Sequence, residues 1–107
     1  MHIETNNENL SAIALEGLKA VIDPEIGLNV VDLGLIYSLL FDETAKRINC
    51  VMTLTSQFCP MGESIIEDVN NSLQSSFDSY GIDVNLTYEP AWNADMISEE
   101  GQLFLGR

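Results

Sequence analysis

The side chains best suited to chemistry sit at a few places in the sequence: Cys59 with Pro60 directly after it, Asp23 and Glu25 on either side of Pro24, and the hydroxyls Thr53, Thr55 and Ser56 on the approach to Cys59. Pro60 suits the first position of a helix, where its missing N–H costs nothing, and this makes Cys59 the expected N-cap. At that place the sulfur meets unpaired backbone N–H groups and the positive end of the helix dipole, and both favour thiolate over thiol. A cysteine of that kind is a nucleophile and a soft metal ligand, whereas the same residue type elsewhere is simply a small buried apolar group. Asp23 and Glu25 are close enough in sequence to act as an acid and base pair or to help hold a metal, and equally of the type that caps or orients a turn. Threonines in strands are routine, so Thr53 and Thr55 gain interest only from their nearness to Cys59.

The remaining inventory narrows the chemistry. His2 is the single histidine and stands in an Asn-rich start, residues 1 to 8, expected to be flexible, so a Cys–His catalytic pair has no second member. The other cysteine, Cys50, shares the apolar side of a strand with Ile48, Met52 and Leu54 and is expected in the core. That strand carries the chain about 17 Å onward by Thr55. Too few residues are left to return to Cys50, so both cysteines are expected as thiols rather than as a disulfide. An iron–sulfur cluster normally takes four ligands. Any cluster held here is expected to be transient and shared with a partner or a second copy in a homodimer, Cys59 supplying one ligand per chain and small thiols or carboxylates such as Asp23 or Glu25 completing the set.

A chain of 107 residues, 46% hydrophobic and 20% charged, is expected to fold as a single domain, residues 1–107, without disulfide staples. Lys19, Lys46, Arg47 and Arg107 face 17 acidic residues, and the formal net charge of -13 disfavours nucleic acid and anionic membrane as partners. The sequence starts without the basic and apolar regions of a signal peptide and holds no membrane-length apolar run, which predicts a cytoplasmic protein.

These groups need elements to position them. Leu10, Ile13, Ala14, Leu18 and Val21 recur at helical spacing and predict a first helix over about residues 9 to 22, ended by Asp23-Pro24. Residues 23 to 34 show neither period and read as an ordered loop. Leu35, Tyr37, Leu39 and Phe41 fall on one side of a strand, Ile48 to Leu54 on the next, and the polar link Asp42 to Lys46 makes them a hairpin. After Pro60, Ile66, Val69, Leu73, Phe77 and Tyr80 trace an amphipathic helix closed by Gly81, and Val84, Leu86 and Tyr88 alternate as a third strand. Trp92 reads as a lid on the core, and Ser98 before Glu99 and Glu100 as the cap of a short last helix. The fold expected is α+β in the order α-β-β-α-β-α, a small mixed three-stranded sheet with helices mainly on one face, around a core of Leu18, Ile48, Leu54, Val69, Leu73 and Leu86.

Four blocks in order carry a family resemblance: Val21-Ile22-Asp23-Pro24-Glu25-Ile26-Gly27; Val31 to Tyr37; Met52-Thr53-Leu54-Thr55 with Cys59-Pro60; and Glu89-Pro90-Ala91-Trp92 with Met96 to Gly101. In these the chain resembles the SufT-like and PaaD-like family, also known as domain of unknown function 59. The resemblance implies an iron–sulfur assembly domain fold and a non-enzymatic role in maturing iron–sulfur proteins as carrier, adaptor or targeting factor, alongside SUF-type assembly proteins and apo iron–sulfur proteins. It maps the family's reactive cysteine onto Cys59, and its associated binding residues onto Asp23, Glu25 and Thr55. Gln57-Phe58 stands where that family commonly has small or turn-forming residues, and no cysteine-rich tail follows the last block, which favours the general assembly role. A thiol catalyst or redox protein using Cys59, and an adaptor that docks partners through its acidic surface, are the competing readings of the same residues.

Overall fold

The computed structural model describes residues 3 to 58 and 60 to 106. Strand β1 (Glu4–Thr5) leads into helix α1 (Glu8–Leu18), followed by a long loop and the hairpin of β2 (Ile36–Asp42) and β3 (Arg47–Met52). Helix α2 (Gly62–Ser76), edge strand β4 (Gly81–Leu86), a 3-10 turn (Ala94–Met96) and helix α3 (Glu99–Phe104) complete the chain. The sheet order is β1-β2-β3-β4, with β2 and β3 antiparallel and both outer pairs parallel. The sheet is thus four-stranded rather than three-stranded. The added strand comes from the Asn-rich start, too short and polar to show a period, and is held by Asn6, whose side chain pairs with both backbone groups of Phe41.

Alternation sorts the sheet into two sides. Leu39, Phe41, Ile48, Cys50 and Met52 join Ala14 and Leu18 of α1 and Ile65, Val69 and Leu73 of α2 in one core, while Arg47 and Asn49 on the other side pair with Asp83 and Asn85 of β4. A register shift between Ile36 and Ser38 breaks the alternation expected for β2: Leu35 and Ile36 are both buried, and Tyr37 is turned half outward. Leu86, expected in the core, is 41% exposed, because it ends a strand that has no neighbour on its outer side.

Both long helices stop short of the ranges their apolar spacing suggests. After α1, Ala20 and Val21 turn tightly onto Gly17 and Leu18, so Val21 reaches the core from a turn. After α2, Phe77 leaves helical geometry, yet its ring packs 5.7 Å from both Phe41 and Tyr80, and Gln74 donates to the carbonyls of Phe77 and Tyr80. Gly81 therefore opens β4 instead of closing α2. Among the described residues, no helix is long and apolar enough to cross a membrane.

Candidate functional site

The loop between α1 and β2 is built as a narrow clasp. Asp23 donates its N–H to the Leu28 carbonyl at 3.0 Å, Val30 donates to Val21 at 3.0 Å, and Ile22 bridges Asn29. The Asp23 side chain is 1% exposed, and its Oδ1 accepts the Glu25 N–H at 2.9 Å, while its carbonyl accepts the Gly27 N–H at 2.7 Å. Gly27 closes this turn at φ 81°, a left-handed conformation that side chains resist. The Asp23 carboxylate thus orients the turn, and Glu25 is presented on its exposed side.

The chain after β4 straps this loop down. Asn29 Oδ1 accepts the N–H groups of Val31 and Asp32, and Asn29 Nδ2 donates to Asp32 Oδ2 at 2.7 Å. Ser98 donates its hydroxyl to Asp32 Oδ1 and its N–H to the Asp32 carbonyl, both at 2.8 Å, and its Oγ caps α3 by accepting the Gly101 N–H at 3.0 Å. The Trp92 indole N–H donates to the Leu33 carbonyl at 2.7 Å, in keeping with the lid expected of it. Tyr37 donates to the Pro90 carbonyl at 2.6 Å; burial pushes its phenol pKa up, partly offset by a hydrogen bond with Thr53. The Asn29, Asp32 and Ser98 cluster escaped sequence reading because its partners lie up to 66 residues apart; only the Ser98 cap was visible locally.

The loop between β3 and α2 enters from the core. Thr53 is fully buried and donates its N–H to Leu35, and Leu54 lies against the first residue of α2, where a Cβ on Gly62 would come within 2.7 Å of the Leu54 Cδ1. Past Leu54 the chain surfaces: Thr55 is half-buried, Ser56 Oγ accepts the Phe58 N–H at 3.1 Å, and the Phe58 ring is 82% exposed. Cys59 lies outside the described residues. The N-cap of α2 is Met61, with no side-chain cap bond, so the helix begins two residues later than the Cys59-capped, Pro60-first arrangement expected from sequence. The first intrahelical bond runs from Ile65 to Met61, and Gly62 against Leu54 sets that start.

Thr55, Gln57 and Phe58 face Tyr88, Glu89 and Trp92 across a groove of about 450 Å³ floored by Leu54. Asp23 and Glu25 are not among its described lining residues. Among the described residues no three histidine, cysteine or acidic side chains converge to hold a metal ion. Cys50 is fully buried, and burial pushes its thiol pKa to about 12, which leaves it chemically inert at neutral pH.

In this chain a loop, a strap and a groove gather at one end of β2 and β3, and the α+β fold that carries them is already seen in solved structures. A crystal structure of a domain of unknown function, DUF59, from Bacillus anthracis is similar at a TM-score of 0.86 and 35% identity, over 92% of this chain and 93% of that one. The chain belongs to the iron–sulfur cluster assembly protein family, whose profile matches residues 12–84. It is 48% identical over 90 residues to a Porphyromonas gingivalis Fe-S protein maturation auxiliary factor, covering 83% of this chain and 84% of that protein. It is 40% identical over 86 residues to the Staphylococcus aureus Fe-S protein maturation auxiliary factor SufT, covering 80% and 97%.

Proposed function

We propose that this chain is a non-enzymatic, cytoplasmic accessory factor in iron–sulfur protein maturation, which meets its cargo cluster, or a cluster-bearing partner, through Cys59. The observation that carries this reading is the match, over 84% and 97% of their lengths, to relatives named for Fe-S protein maturation. The geometry is compatible with it: the residues just before Cys59 come to the surface beside an open groove, and the Asp23 turn is rigidly braced. SUF-type assembly proteins and apo iron–sulfur proteins are the partners this role requires. With one candidate thiolate per chain, a bound cluster has to be completed by another chain or by small thiols, with Glu25 and Thr55 as auxiliary contacts, and it is therefore labile.

A strain lacking the gene should lose activity of its iron–sulfur enzymes under iron limitation, and regain it with the wild-type gene but not with Cys59→Ser. Undiminished enzyme activity in the deletion strain would overturn the role. Rescue by Cys59→Ser would overturn the assignment of the cysteine.

A further inference from the structure

We propose that the groove between the Thr55 to Phe58 loop and the Tyr88 to Trp92 segment docks an extended segment of a partner protein through its arginine or lysine side chains. This deepens the functional reading above, since it names the partner chemistry beside the loop that carries Cys59.

Three rings, Phe58, Tyr88 and Trp92, line the groove, and the one charged group among its described lining residues is the carboxylate of Glu89. Aromatic faces attract cations through their quadrupoles, and guanidinium groups most often fill such places. A carboxylate among the rings adds charge and a hydrogen-bond acceptor suited to arginine. The chain already makes this contact internally: Lys46 Nζ stands 5.1 Å from the centre of the Tyr80 ring.

Among the described residues, the chain's own cations do not compete for the groove. Lys46 is held over Tyr80, Arg47 pairs with Asp83 at 2.6 Å, and Lys19 lines a separate cleft with Glu16, Glu99 and Glu100. Glu89 makes no ion pair among the described residues. A net charge of -13 draws basic segments to the whole surface, and the rings give this one place a means of retaining them. The volume of about 450 Å³ accommodates one or two long side chains, and the open sides leave room for an extended backbone to pass.

Trp92 is the only tryptophan and lines the groove, so its emission reports occupancy directly. The probe is a capped hexapeptide of alternating leucine and arginine, titrated into the full chain at low salt, against the same peptide with citrulline, which keeps the shape and removes the charge. The expected result is a saturable change in Trp92 emission, weakened about fivefold or more by citrulline, by Phe58→Ala and by Glu89→Gln. The double variant Glu99→Gln with Glu100→Gln, at the other cleft, should leave affinity unchanged. Phe58 and Glu89 are both exposed, so their variants remain folded.

No saturable response overturns the proposal. Equal binding of the citrulline peptide also overturns it, by showing a merely apolar groove. Equal weakening by the Glu99 and Glu100 variant overturns it too, since the general field would then suffice. The outcome is separable from the maturation role. Peptide binding with intact iron–sulfur enzymes in the deletion strain would sink the role and keep the groove, and the reverse pattern would sink only the groove.

Discussion

Removing one hydroxyl tests whether the strap is energetically coupled to the loop. Ser98 Oγ accepts the Gly101 N–H at 3.0 Å and donates to Asp32 Oδ1 at 2.8 Å. In Ser98→Ala the lost cap costs about 1 kcal/mol. Asp32 Oδ1 loses its donor, and because Asp32 is only half-buried this adds about 1 kcal/mol, at the low end for a stranded polar group. The bond from the Ser98 N–H to the Asp32 carbonyl survives, so the sum is about 2 kcal/mol. With roughly 2.1 cal/mol/K of unfolding entropy per residue over 107 residues, the melting temperature falls by about 9 °C. Urea unfolding followed by circular dichroism should show a lower midpoint at unchanged slope. Combined with Asp32→Ala in a double-mutant cycle, the pair should couple by about 1 kcal/mol. A loss under about 0.5 kcal/mol, or strict additivity in the cycle, would refute the account of the clamp.

Leu73→Ala, at a fully buried position of α2, should cost about 3 kcal/mol, against under about 0.5 kcal/mol for Leu103→Ala at a position 75% exposed, both read from urea midpoints. Equal costs would mean that the core is misplaced. The Cys50 thiol sets an alkaline limit. The unfolded thiol ionises near pH 9 while the buried one stays protonated to about 12, so the native state holds the extra proton and stability is lost as pH rises through that window. The slope is about 1.4 kcal/mol per pH unit, and a Cys50→Ala chain, compared by the same denaturation series, should lack it.

Much of the architecture was legible in the sequence because it rests on local periodicity. Ile48, Cys50 and Met52 alternate, Val69 and Leu73 repeat at helical spacing, and Ser98 announces its own cap. What was missed depends on long-range partners. Phe77 and Tyr80 keep the helical beat yet pack from a turn, so the rhythm overran the end of α2. Met61 takes the cap expected of Cys59 because Gly62 must lie against Leu54, a contact that no spacing rule contains. β1 has two residues, too few for any pattern, and exists because Asn6 finds Phe41 across 35 positions. At the site, the turn role of Asp23 follows from its neighbours, whereas the groove facing Thr55 is made by residues more than thirty positions away in the sequence.

The strap also sets an order of events in folding. Its contacts to the rest of the chain span 53, 59 and 66 residues, whereas the β2–β3 hairpin closes across a short polar link. Closing a longer loop costs more chain entropy before any contact rewards it, so the hairpin and the helices on it form first and the strap docks late. When it docks, Ile97 closes over the core that Leu28, Val30 and Leu33 of the loop share with the sheet and both long helices, so the loop that presents Asp23 and Glu25 is finished by the last part of the chain to arrive.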